Sequence, residues 1–252
     1  YGLDGKPWGG EIFVGSYNWF ERRGHLEPQP MPGGDLAAKY PARMVAGILS
    51  KVLSMEELRE VLLDKCIKGF KKGEIELNIV LSQISKKINL TETTSAGRVL
   101  DAISALLGVC FERTYEGEPA MRLESIATLG DPSKAKITAT IEQDGSTYVI
   151  NTTNILLDVL EASKKVRREH VAAAAQEALA KGLVSAAINI AMEEGIKIIG
   201  FSGGVAYNEA ITKTIRKEVE KHKLKFISHR LLPPGDGGIS AGQTVATAMG
   251  YG

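Results

Sequence analysis

The sequence has 252 residues, 44% hydrophobic and 24% charged, which excludes a disordered, collagen-like or low-complexity chain. Thirty-one basic and 30 acidic residues leave a formal charge of +1, with no electrostatic excess for clamping nucleic acid or coating an anionic membrane. No run is read as approaching the ~20 apolar residues of a membrane span, so neither nucleic acid nor membrane is an expected partner.

Two cysteines, Cys66 and Cys110, stand outside any CxxC spacing and read as buried thiols in a reducing compartment, with one disulfide left open. A cytoplasmic location follows as an expectation. The chain opens on Tyr1 without a signal peptide or a starting Met, the pattern of a fragment. Its length suits one large domain or two lobes.

In chain order, residues 1–40 alternate turn signals with β-branched and aromatic residues, as in Glu11-Ile12-Phe13-Val14 and Tyr17-Asn18-Trp19-Phe20. Pro28, Pro30 and Pro32 with Gly33-Gly34 close that region. A helical block over 41–90 follows. It carries Val45, Ile48, Leu49 and Val52 on one face, a helix start at Ser54-Met55-Glu56-Glu57, and a third stripe at Leu77, Val80, Leu81 and Ile84. Thr94-Ser95 reads as the N-cap of a helix through Val99, Ile103 and Leu106. Residues 136–141 and 146–150 alternate around Asp144-Gly145 as a β-hairpin, and Asn154 is expected to cap a short helix. The Ala-rich stretch over 166–194 is expected to be a central buried helix.

The C-terminal third reads most clearly. A strand at 196–201, a polar helix over 208–222 and a strand at 224–228 make a right-handed βαβ crossover with parallel strands. Ser202-Gly203-Gly204 and Pro233-Pro234-Gly235-Asp236-Gly237-Gly238 then fall at the carboxyl ends of those strands, the usual ligand edge of an α/β sheet. A closing helix starts at Ile239.

Several residues there have the types needed for chemistry. Glycines at 203 and 204 let backbone N–H groups approach a phosphate or ribose, although the spacing is neither a Walker A loop nor a GxGxxG fingerprint. Asp236 on a flexible tip can reach a divalent cation, or can bond its own backbone in an Asx-turn. Ser95 and Gly97 with Asp101 one turn on form a third candidate; an ordinary N-cap with a solvated Asp is the alternative. Gly117 in a polar turn and Gly9-Gly10-Glu11 at a bend are further candidates. His25, His170, His222 and His229 show no metal-ligand spacing; His229, just before the Asp236 loop, reads either as a surface side chain or as one that approaches the crevice. No GxSxG elbow or activated cysteine is visible.

Taken together, YGLDGKPWGGE (1–11), HLEPQPMPGGD (25–35), TSAGRVLDAISALLGVC (94–110), YEGEPA (115–120), FSGGVAYN (201–208) and PPGDGGISAGQ (233–243) resemble the HypF family of carbamoyltransferases that mature NiFe hydrogenases. The resemblance runs over nearly the whole chain in family order. It implies kinship with the enzymes of threonylcarbamoyl-adenosine synthesis in tRNA. The implied fold is α/β: one carbamoyltransferase domain over 1–252, the second lobe of a sugar kinase/Hsp70/actin-like (ribonuclease H-like) fold. Residues 41–90 and the hairpin at 136–150 would be insertions.

The resemblance also implies roles. Gly9, Gly10 and Glu11 approach the substrate, as do Ser95, Gly97, Asp101 and Gly117 together with Ser202, Gly203 and Gly204. Asn208 falls at the ribose or adenine side, and Asp236 at a metal-binding aspartate. The implied cofactor is an ATP-derived carbamoyl-adenylate with a divalent metal; the implied partner is HypE, whose C-terminal cysteine accepts the carbamoyl group. The family's paired histidine ligands and its zinc fingers are expected upstream of Tyr1, so the fragment by itself is expected to be incomplete. The chain departs from the family pattern at Glu118-Pro119 and Ala175-Gln176. Two other readings stay open: another enzyme of the superfamily, either a tRNA threonylcarbamoyl transferase or a small-molecule kinase, and a non-catalytic module that docks HypE.

Overall fold

The computed structural model describes residues 2–17 and 19–250; Tyr1 and Asn18, which belong to two of the stretches named above, lie outside the described residues. Strands β1 (Glu11–Gly15) and β2 (Phe20–Leu26) form an antiparallel hairpin with a bulge at Ile12/Phe13. Strand β3 (Gln29–Pro32) leaves that sheet and pairs with β4 (Leu90–Thr93), a strand the sequence reading passes over. Pro30 and Pro32 within β3 are tolerated because the pair has only two strands, each with an open edge.

The block between β3 and β4 is helical, as expected: α1 (Asp35–Lys39), α2 (Ala42–Leu49), α3 (Met55–Val61) and α4 (Glu74–Lys86). Every residue of α2 is buried, so this short helix serves as a hub of the core. Ser54 begins α3 with a reciprocal capping box to Glu57. Val52 does not share the buried face: α2 ends at Leu49, and Val52 is exposed in the turn beyond it.

Ser95 caps α5 (Ala96–Leu106), and α6 (Glu118–Ala127) packs against it. The hairpin β5 (Thr140–Asp144) and β6 (Thr147–Asn151) forms as expected, but β5 starts at Thr140 rather than 136. β6 also pairs in parallel with β2, giving a four-stranded sheet of order β1-β2-β6-β5. The cap of α7 (Thr152–Ala162) is Asn151, whose side-chain oxygen accepts the Asn154 N–H at 2.9 Å; Asn154 is inside the helix, not before it.

Helix α8 (Arg168–Glu193) is the expected Ala-rich core helix. It touches β1, β2, β5 and β6 and continues to β7 (Ile198–Phe201) and α9 (Glu209–Lys221). Small residues on it let neighbours approach: a Cβ at Gly182 would lie 2.8 Å from Ile150 Cγ2 of β6. By length and hydropathy α8 is apolar enough to cross a membrane, contrary to the reading that no stretch approaches this; 72% of that apolar window is buried inside the protein. Strand β8 (Lys225–Ser228) pairs in parallel with β7, completing the predicted crossover, and α10 (Ile239–Ala248) closes the chain. Both cysteines are free and buried, and burial pushes the Cys66 thiol up to about 12, so it is inert at neutral pH.

Candidate functional site

Three groups of candidate residues gather around the N-terminal half of α5. The first is the bend before β1. The Glu11 carboxylate, only 4% exposed, accepts the N–H groups of Gly9 (2.5 Å) and Gly10 (2.7 Å) on one oxygen. On the other it accepts the Thr94 hydroxyl and pairs with Arg22 at 3.0 Å. A carboxylate so fully bonded is a tie rather than a free base. It draws the bend onto the start of α5, where Gly9 O accepts the Ala96 N–H at 3.1 Å. Only glycine fits at 10, because a Cβ there would lie 2.4 Å from the Thr94 carbonyl oxygen. Ser95 Oγ accepts the Arg98 N–H at 3.4 Å, and Gly97 sits half-buried in the first helical turn.

The second group is Asp101 with Gly117. Asp101 is fully buried, not the solvated residue of the alternative reading. Its carboxylate lies 2.9 Å from the Arg98 guanidinium, but off-axis for a hydrogen bond. Neither oxygen has a hydrogen-bond partner among the described residues. Burial raises its pKa to about 6; the charges of Arg98 and Arg113 pull the other way. Gly117 starts α6 in the left-handed region. Next to it Glu118, also buried, accepts the Thr114 N–H (2.6 Å) and hydroxyl (2.7 Å) and pairs with Arg122 at 2.7 Å. The Thr114 bonds hold the Glu118 carboxyl below its ordinary value.

The third group is the ligand edge of β7 and β8. Gly203 has φ +96, and a side chain there would meet only open space. Its N–H donates to the Pro234 carbonyl at 2.8 Å, so the two glycine turns meet. Ser202 Oγ lies 2.9 Å from His229 Nε2 and 3.2 Å from the same Pro234 oxygen. Tyr207 lays its ring against Gly235. The turn at Gly204–Tyr207 also touches α5, which brings this edge to the first two groups.

Asn208, 6% exposed, caps α9 by accepting the Ile211 N–H at 2.9 Å and donates its amide to Gln176 of α8 at 2.7 Å. Both ends of that side chain are therefore bonded inside the protein. Asp236 is exposed, and its carboxylate makes no hydrogen bond or ion pair with a described residue. No group of three or more His, Cys, Asp or Glu gathers among the described residues, so these residues alone do not fit a divalent metal. Two small grooves of about 250 and 200 Å³, around Gly108 and Arg168, lie at the opposite end of α5 from Ser95 and Gly97.

Sequence reading missed the Thr94, Arg98, Gln176 and Ser202 partnerships. Glu11 and Thr94 are 83 positions apart, so no local pattern signals their bond.

Comparison with known proteins identifies the family. The family described as carbamoyltransferase, Kae1-like domain, second subdomain, matches residues 1–243. A probable carbamoyltransferase HypF of Methanocaldococcus jannaschii is 43% identical over 98% of this chain and 31% of its own length. The crystal structure of T. kodakarensis HypF superposes with a TM-score of 0.90 at 41% identity, over 100% of this chain and 33% of that one. A full-length HypF in a phosphate- and nucleotide-bound form gives a TM-score of 0.83 at 31% identity, over 99% of this chain and 32% of that one. The chain thus spans about a third of the length of these relatives. With a match that covers all but its last nine residues, the chain belongs to the carbamoyltransferase Kae1-like domain family, as a second subdomain.

Proposed function

We propose that this chain carries the carbamoyl-transfer part of a HypF-type reaction in NiFe hydrogenase maturation. The carbamoyl group would pass from a carbamoyl-adenylate, made from ATP, to the C-terminal cysteine thiol of HypE in the cytoplasm. The observation that carries the reading is the Gly203 N–H to Pro234 O bond, which fixes two glycine turns side by side at the carboxyl ends of parallel strands. Family membership and the nucleotide-bound state of a relative support it. The antiparallel β1-β2 hairpin and the separate parallel pair of β7 and β8 are the basis for proposing an actin-like second lobe.

Chemically the step is acyl transfer. The thiol sulfur forms a bond to the carbamoyl carbon, the bond from that carbon to the adenylate phosphate oxygen breaks, and AMP leaves with the electron pair. The thiol proton departs to solvent or to a base of the partner. The N–H groups of Gly204 and Val205, with no backbone partner among the described residues, are placed to face developing negative charge. Asp236 would contribute a ligand to a divalent cation, which would offset phosphate charge when bound; the remaining ligands would come from other polypeptide. Asp101, Gly117 and Asn208 would shape the nucleotide side from behind.

The test supplies the protein with carbamoyl-adenylate and a cysteine-terminated acceptor peptide. The expected products are AMP and a peptide thiocarboxamide in equal amounts by mass spectrometry, with Gly203→Val abolishing both. In a parallel reaction given ATP and a small-molecule acceptor, transfer of the γ-phosphate would instead identify a kinase and overturn the proposal. One observation favours docking as a second reading: no residue of α10 is buried, leaving Ile239, Val245 and Met249 half exposed. Thiocarboxamide formation by a Gly203/Asp236 double variant would decide for docking.

A further inference from the structure

The hydrogen bonds around Ser202 constrain one another. The serine has one hydroxyl proton and two neighbours: the Pro234 carbonyl at 3.2 Å and His229 Nε2 at 2.9 Å. A carbonyl oxygen only accepts. If Ser202 gave its proton to His229, its own oxygen would face the Pro234 oxygen lone pair to lone pair. If it gives the proton to Pro234, the imidazole must carry hydrogen on Nε2 and donate to Ser202. Ser202 Oγ has donor geometry to Pro234 O, which leaves His229 Nε2 as the donor to Ser202, so the relay runs from His229 Nε2–H to Ser202 Oγ–H to Pro234 O. The Pro234 carbonyl then receives two donors, Ser202 and Gly203.

The other three histidines do nothing comparable. His25 Nδ1 contacts the Leu26 carbonyl, His170 Nδ1 accepts the Asp131 N–H, and His222 Nδ1 contacts the Glu218 carbonyl. Among the described residues, His229 is the imidazole that bridges the two turns of the ligand edge. The 233–238 turn has little other anchorage: Leu231 before it is 98% exposed and α10 after it has no buried residue. A segment so thinly packed depends on its few bonds for a defined shape.

We propose that His229 is a positioning residue: through Ser202 it holds the 233–238 turn against the Gly203 turn and so sets the affinity of this edge for a nucleotide. The inference rests on the nucleotide reading above. Imidazole ¹⁵N shifts test the relay directly, with a protonated Nε2 expected. Calorimetric titration with AMP tests the consequence. His229→Phe and Ser202→Ala should each weaken AMP binding about fivefold, the worth of one hydrogen bond. His229→Gln, whose amide also donates, should recover most of the loss, and the His229→Phe/Ser202→Ala double variant should be no worse than either single one. A bare Nε2 overturns the proposal, as does His229→Phe binding AMP like the wild type. Wild-type protein that binds no AMP sinks the nucleotide reading and takes the inference with it; unaffected binding in His229→Phe sinks the inference alone.

Discussion

The body of the protein and its C-terminal crossover solve the burial problem differently. In the body, α2 buries all eight of its residues, and α5 buries nine of eleven, Asp101 and Ser104 included. In the unit from β7 onward, α9 buries only Ile211, Ile215 and Val219, and α10 buries nothing. The whole chain exposes 13,089 Å², against roughly 10,800 Å² for a compact monomer of its mass. The second unit contributes to that excess, with Ile198, Ile227, Leu232 and Val245 about half exposed. Each unit supplies part of the candidate site. The body holds Glu11, Ser95 and Asp101 among bonded or buried neighbours, and the crossover presents the more exposed glycine turns. Binding loops are generally drawn from the less stable end of a structure.

The largest contrast should come from the hydrophobic core. Leu49→Ala, at a fully buried position, should cost about 3 kcal/mol from lost burial and the cavity left behind. Val245→Ala in α10, half exposed, should fall within ~0.5 kcal/mol. Urea unfolding of both variants checks this. Equal effects would break the distinction between the two regions.

Almost as large is a pH effect confined to the body. Asp101 titrates at 3.8 when unperturbed and at about 6 in its buried site. Because the folded value is the higher one, the native state binds this proton more tightly than the unfolded chain. Its stabilisation is complete below pH ~4 and is lost as pH rises through about 6. A shift of that size amounts to roughly 3 kcal/mol across the window. The difference in unfolding free energy between wild type and Asp101→Asn, measured from pH 4 to 8, should therefore change in favour of the variant as pH rises. A difference that stays flat would mean Asp101 keeps an ordinary carboxylate environment.

What the sequence reveals follows the range of each interaction. The Ser54 and Ser95 caps, the Asp144-Gly145 hairpin and the βαβ crossover are local patterns whose cause lies within a few residues, and they are legible. Strand β4 is not, because Leu90-Thr91-Glu92-Thr93 has only one buried position and exists through pairing with the proline-rich β3. The parallel union of β2 with β6 joins residues more than 120 positions apart, so an autonomous-looking hairpin is in fact part of the main sheet. For the candidate site, glycine turns at strand ends can be read from order alone. The burial of Asp101, and the engagement of Asn208 with Gln176, depend on which helix packs where.

A smaller effect should appear at the junction of the two regions. Asn208→Ala removes the cap of α9 and leaves the Gln176 carbonyl oxygen buried without its donor, costing about 2 kcal/mol. Asn208→Asp keeps the cap but sets a carboxylate against that same oxygen, so it should recover only part of the loss. Hydrogen exchange locates the damage: amides of α9 should lose protection while those of α2 keep theirs. Loss spread evenly through both helices would show that the regions unfold as one.

The smallest effect separates capping from substrate contact at Ser95. Its Oγ accepts the Arg98 N–H at a long 3.4 Å, while its own N–H is held by Thr93 Oγ1 at 3.1 Å and the neighbouring Ala96 N–H by Gly9. The start of α5 is thus fastened by backbone bonds that survive loss of the side chain. Ser95→Ala should cost about 0.5–1 kcal/mol, the low end for a cap. Ser95→Asp restores an acceptor at the helix N-terminus, where a negative charge is favourable, and should return wild-type stability. If Ser95 also touches ligand, AMP binding will fall in both variants although only the alanine is less stable. If binding follows stability and Ser95→Asp binds as wild type does, the residue is a cap and nothing more, and the substrate-facing part of the site narrows to the Gly203 and Asp236 turns.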